Sequence, residues 1–171
     1  KAKNKLNRRF MSNRKYQKTV CDITEFKAYN GQKVYLEVIK DLATKQILTW
    51  SIGQSPTLHF ALTPLQKLLD QLPYTGHQLT LHTDQHHAWR KLLREGHIRQ
   101  SMSHRAICLD NAACETVFSK PKAEIGQDTS YRSQDELIQA IEEWIHFYNE
   151  RRIQTKLGNQ TPLQYEQNLV A

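Results

Sequence analysis

Thr19-Val20-Cys21-Asp22-Ile23-Thr24-Glu25-Phe26 is the stretch on which the fold turns. Its β-branched residues and its alternation at period two predict a strand. Aspartate is depleted in strands, so Asp22 stands out within this one. Next, Ala28-Tyr29-Asn30-Gly31-Gln32 holds the Asn-Gly pair of a tight hairpin, and Lys33 to Asp41 is apolar enough to be the returning strand. A short turn at Ala43-Thr44-Lys45 leads to a third strand from Gln46 to Ile52. Connections this short predict an antiparallel meander.

After the meander the pattern changes. Ser55-Pro56 and Thr63-Pro64 both have the cap-then-proline form of a helix start, and Thr63 with Gln66 fits a capping box. Leu58, Leu62, Leu65, Leu68, Leu69 and Leu72 share one stripe, which predicts a helix over 57–72, kinked at Pro64. Tyr74-Thr75-Gly76 ends it, and Gln78 to His82 reads as a strand that runs out at Asp84. The order strand, helix, strand predicts a parallel crossover. Trp89 to Glu95 reads as a short helix and Ile98 to Met102 as a short strand. Asp110 opens a helix bearing Glu115. Ser133-Gln134-Asp135-Glu136 is a capping box that opens a long amphipathic helix, with Leu137, Ile138, Ile141, Ile145 and Tyr148 inward. The expected class is α/β, a mixed five-stranded sheet with flanking helices.

Composition limits what the chain does. At 171 residues one domain is expected, with enough chain to bury a core. No apolar run approaches membrane-spanning length, which argues against a membrane partner. The three cysteines Cys21, Cys108 and Cys114 form no zinc-type pairing and read as reduced, buried and intracellular. The net charge of +7 is uneven: residues 1–18 carry eight Lys or Arg and no acid, and the other 153 residues sum to −1. The chain thus divides into a basic arm or linker (1–18), expected to run extended, and a core domain (19–171). Such an arm binds phosphate backbone or simply lies solvated.

Three carboxylates carry the chemistry: Asp22 inside a strand, Asp84 at a strand end, Glu115 on a helix. Cleaving or transferring a phosphodiester requires charge neutralised on both attacking and leaving oxygens. Two Mg²⁺ ions roughly 4 Å apart achieve this when acids from separate elements converge on them. His82, His86 and His87 offer nitrogen ligands near Asp84, but their order does not match a zinc-hydrolase pattern. Arg90, Lys91, Arg94, Arg99 and Arg105 fall in a stretch whose only acid before Asp110 is Glu95. They line a DNA channel or form a solvated face; Arg151, Arg152 and Lys156 are similar candidates for phosphate contacts.

Taken together, these residues resemble the catalytic core of DDE-type insertion-sequence transposases, which share the retroviral-integrase, ribonuclease-H-like fold. The matching residues are Asp22-Ile23-Thr24-Glu25-Phe26, His82-Thr83-Asp84-Gln85, Ser101-Met102-Ser103, Leu109-Asp110-Asn111-Ala112 with Glu115, Phe147-Tyr148-Asn149 with Arg151-Arg152, and Thr161-Pro162-Leu163-Gln164-Tyr165. Leu6-Asn7-Arg8-Arg9-Phe10 resembles the segment preceding that core. The resemblance implies that Asp22, Asp84 and Glu115 are catalytic and bind Mg²⁺, with Mn²⁺ as a substitute and two ions in the site. It implies cleavage that frees DNA 3′ ends, whose hydroxyls then attack target DNA. Lys122, seven residues after Glu115, resembles the family's DNA-contacting lysine; Arg8, Arg9, Arg105, Arg151, Arg152 and Asn111 complete the expected DNA contacts. Asp110 and Asn111 also suit a helix cap. Further implications are a homo-oligomer on paired DNA ends, an upstream end-recognition domain or protein, and action in the bacterial cytoplasm or nucleoid. A nuclease of the same fold and a non-catalytic DNA-binding or assembly module are the alternatives.

Two features depart from the family pattern. The interval between Asp84 and Glu115 holds 30 residues, shorter than is usual for the family. Either the rim of the site is naturally shortened, or a few loop residues are lacking from the sequence as it stands. Pro121 stands one residue before Lys122, where it removes a helical bond and predicts a kink.

Overall fold

The structure, a computed structural model, describes residues 10–83, 89–102, 122–125 and 131–170. Strand β1 (Lys18–Lys27) pairs antiparallel with β2 (Lys33–Asp41), which pairs antiparallel with β3 (Ile47–Gly53). Helix α1 (Leu58–Gln71) then returns the chain to β4 (Thr80–Thr83), which lies parallel to β1. Helix α2 (Arg90–Glu95) leads to β5 (Arg99–Met102), parallel to β4. The sheet order is therefore β3-β2-β1-β4-β5, mixed and five-stranded as expected. Helix α3 (Gln134–Glu150), a single 3-10 turn at Thr155–Leu157 and helix α4 (Pro162–Val170) follow.

Each face of the sheet is covered by its own apolar layer. Val20, Phe26, Val34, Leu36 and Val38 pack against Leu137, Ile141, Trp144, Ile145 and Tyr148 of α3. Cys21, Ile39 and Leu81 pack on the other side against Leu65 and Leu68 of α1, with Trp89 and Leu93. Alternation along β1 thus sends even-numbered residues to the α3 side and odd-numbered ones to the α1 side. Each fully buried Leu or Ile in these layers contributes about 1.5–3 kcal/mol.

The caps show where local sequence was read correctly and where it was not. Ser133 Oγ accepts from Glu136 N at 3.2 Å, as a capping serine does, while Glu136 reaches back to Arg132 N at 2.8 Å. The Asn30-Gly31 hairpin forms, with Gly31 at φ 80. Thr63-Pro64 is not a helix start. Thr57 is the N-cap of α1 and accepts from Phe60 N at 3.2 Å, so Thr63 and Pro64 fall within the helix. There Thr63 Oγ1 donates to His59 O at 2.8 Å, a use of the hydroxyl that its cap-like context concealed. Residues 10–17 do not run extended either. Gln17 N closes a turn onto Arg14 O, Tyr16 N donates to Asp41 Oδ1 at 2.9 Å, and Phe10 packs on the α3-side core.

Candidate active site

Asp22 sits mid-way along β1, directly opposite Val38 of β2 and half-buried. Its Oδ1 accepts from Ile23 N at 2.9 Å. Strand alternation places its side chain on the α3 side, in line with Val20 and Phe26. On the other flank, β4 brings Thr83 opposite Cys21, and Met102 of β5 stands opposite Thr83. Thr83, the residue before Asp84, is therefore held one rung from Asp22.

The support beneath this rung is polar and buried. His82 is fully buried opposite Val20, and its Nδ1 lies 3.0 Å from Ser101 Oγ on β5. Phe10 meets the His82 ring edge-on, with centroids 6.3 Å apart. The His82–Ser101 pair ties β4 to β5, and the His82 ring holds Phe10 against the sheet.

Glu37 is an acid the sequence did not single out. It lies in β2 with no exposed surface, opposite Ser51, and accepts from Cys21 Sγ at 3.5 Å. Burial pushes its carboxyl up to about 8; the Cys21 contact opposes the shift and the nearby charge of Asp22 adds to it. Glu37 points to the α1 side, away from the face that Asp22 presents. Asp41 is also buried, but its role is structural: the amides of Tyr16, Ala43 and Thr44 and the Thr44 hydroxyl all donate to its carboxylate.

Among the expected DNA contacts, Lys122 is exposed in a helical segment at 122–124. Two residues on, Glu124 joins that segment to α3: Trp144 Nε1 donates to Glu124 Oε2 at 2.8 Å, and Arg152 pairs with the same oxygen. Arg152 is half-buried, and the Glu124 bond raises its pKa further. Arg151 is exposed just past the end of α3. Asp84, Glu115, Asn111, Arg105, Arg8 and Arg9 lie outside the described residues, as does Pro121 with its expected kink. Among the described residues no three His, Cys, Asp or Glu side chains gather as a metal site, and no helix is long and apolar enough to cross a membrane.

A meander extended by a parallel crossover, with an aspartate on the middle strand, defines a ribonuclease-H-like core. Two family models, each described as an integrase core domain, match residues 12–108 and 96–162. The chain belongs to the integrase core domain family, in the branch of the insertion-sequence transposases. It is 36% identical over 169 residues to the putative transposase InsK of insertion sequence IS150 from Escherichia coli, covering 96% of this chain and 59% of that protein. It is 35% identical over 171 residues to an uncharacterized transposase-like protein of Haemophilus influenzae, covering 96% of this chain and 77% of that one. The chain thus spans little more than half the length of the first of these relatives. Solved structures share the fold at low identity. A simian T-cell lymphotropic virus intasome chain superposes with TM-score 0.69 and 16% identity, over 90% of this chain and 55% of that one. The catalytic core of BIV integrase gives TM-score 0.64 and 13% identity, over 90% and 95%.

Proposed function

We propose that this chain is the catalytic core of a DNA transposase, which cleaves strands at the ends of an insertion sequence and joins them to target DNA. The observation that carries the reading is the β1–β4 register. Thr83 stands opposite Cys21 in a parallel ladder, and Asp84 is bonded to Thr83. Since Cα atoms joined by a trans peptide are about 3.8 Å apart, the reading takes the residue after Thr83 as the second carboxylate of the site, next to Asp22. The transposases among its relatives, and an HTLV-2 integrase core whose structure was described in complex with magnesium, support the same reading.

In this reading Asp22, Asp84 and Glu115 hold divalent metal, two Mg²⁺ ions that Mn²⁺ can replace. Asp22 fits that role: it offers hard carboxylate oxygen from a rigid strand and is half-buried, open enough for an ion to reach. The ions, when bound, neutralise charge on the attacking and leaving oxygens of the phosphodiester. The protein's own part is positioning. The ladder and the His82–Ser101 pair fix the strand ends, while Lys122, Asn111, Arg105, Arg151, Arg152 and the arm residues Arg8 and Arg9 hold phosphate. The full protein acts as a homo-oligomer on paired DNA ends, in the bacterial cytoplasm or nucleoid, with an upstream domain or protein recognising those ends.

The test is incubation of the protein with labelled element-end DNA, with and without Mg²⁺ or Mn²⁺. Joined products that require the metal are expected. Metal-dependent nicks that are never joined to a target would leave a nuclease instead.

A further inference from the structure

At the end of the sheet where β2 turns into β3, four cations collect on the α3 side. Lys40 is the last residue of β2 to face that side, two positions along the strand from Val38, the partner of Asp22. Its Nζ lies 5.0 Å from the centroid of the Tyr148 ring. Lys45, in the β2–β3 turn, donates from Nζ to Leu42 O. Arg152 follows the end of α3, and Lys156 projects exposed from the 3-10 turn, whose Leu157 is buried. Lys40 feels the charges of Arg152 and Lys156, and Lys45 those of Lys40 and Lys156, so the four form one group rather than two pairs.

Three described carboxylates bear on this group: Glu124, Asp41, and Asp22, the cross-strand diagonal neighbour of Lys40, whose charge the proposed reading assigns to metal. Glu124 is engaged by Arg152 and Trp144, and Asp41 is enclosed by the amides that donate to it. The C-terminus of α3 adds the equivalent of only about half a negative charge. Four cations against these leave an excess, and burial together with the neighbouring cations lowers the pKa of Lys40 to about 8. Like charges held this close destabilise the compact state unless a counter-charge joins them. An anion completes the arrangement.

We propose that Lys40, Lys45, Arg152 and Lys156 form a seat for DNA backbone phosphates, separate from the carboxylate site but on the same face of the sheet. Cross-strand diagonal neighbours lie about 7–8 Å apart, so a strand held at Asp22 and continuing along β2 meets Lys40 within roughly one to two nucleotides. The seat rests on the reading of the chain as a core that handles DNA, and it adds residues from β2 and its turn that no sequence motif marks.

Affinity for duplex DNA measured against salt concentration tests the seat. Each lost phosphate contact lowers the slope of log affinity against log salt by about 0.9. Lys45→Gln combined with Lys156→Gln is expected to reduce the slope by about 1.8, and Lys45→Arg with Lys156→Arg to restore it. Lys67→Gln, on α1 across the sheet, is expected to leave it unchanged. A double glutamine variant that stays folded by thermal unfolding and keeps the parent slope overturns the seat. Strand joining by the parent protein is scored in parallel: a slope that does not move while joining proceeds refutes the seat alone, and absence of joining refutes the transposase reading alone.

Discussion

Cys21 and Thr83 face each other at the end of the parallel ladder between β1 and β4. Side chains alternate along a strand, so Asp22, one residue past Cys21, points to the opposite side of the sheet from Cys21, toward α3. Asp22→Asn keeps the shape and hydrogen-bonding capacity of the side chain and removes its charge. It is expected to lower strand joining by at least about 100-fold while folding and DNA binding persist. Adding Ile23→Asp, which supplies a carboxylate on the α1 side, is expected to restore nothing, because one residue along a strand reverses the face. A joining assay with both variants checks this; recovery with the double variant would refute the assigned face.

Glu37 gives the fold a pH dependence of its own. Its folded pKa is raised from 4.5 to about 8, so between those values the folded chain binds more protons than the unfolded one. Its contribution to stability is fully present below pH 4.5 and is lost as pH rises toward 8. Glu37→Gln, an isostere of the protonated acid, is expected to flatten that fall and to stabilise the chain near neutral pH by about 1–3 kcal/mol. Urea unfolding across pH 4–8 measures it.

Lys40 carries the opposite sign. Burial lowers its folded pKa from 10.5 to about 8, so the unfolded chain binds more protons between those values and stability rises with pH across them. Lys40→Met, which keeps the stem over Tyr148, is expected to abolish the rise. The midpoint of denaturant unfolding at pH 8 and pH 10 shows it.

Asn149 clamps α3 to the edge strand. Its Oδ1 accepts from Ile47 N and its Nδ2 donates to Ile47 O, both at 2.9 Å. Asn149→Ala removes both bonds and leaves two backbone groups without these partners. A loss of about 1–3 kcal/mol in unfolding free energy is expected, with the residual fold unchanged by circular dichroism.

Most of the architecture was legible in the sequence because it rests on local signals. The Asn30-Gly31 turn, the leucine stripe of α1 and the Ser133 cap each act over a few residues, and each forms, except that Leu58 at the start of α1 is exposed and lies off the buried stripe. Thr161 and Gln164, read only as part of a family motif, form a reciprocal cap at the start of α4, with bonds of 3.2 and 3.0 Å. Misread features had local signals that tertiary context overrode: Thr63-Pro64 resembles a cap, yet Thr57 had already started the helix. Glu37 was hidden because Val34-Tyr35-Leu36-Glu37-Val38-Ile39 reads as a strand whichever way Glu37 points. Only the register against Ile23 and Ser51, with the Cys21 thiol beside it, shows that it is enclosed. Arg152 and Lys156 stood out as cations, but their grouping with Lys40 and Lys45 was equally illegible, since the two pairs stand more than 100 residues apart in the chain. Of the three expected carboxylates, Asp22 alone is among the described residues, and the register of its strand supports placing Asp84 beside it.

The most direct measurement is strand transfer on labelled element-end DNA with Mg²⁺ or Mn²⁺, comparing the parent protein with Asp84→Asn and Glu115→Gln. Joined products from the parent, with both substitutions abolishing them while DNA binding persists, is the predicted result. Joined products that survive either substitution would contradict the assignment of these carboxylates to the site.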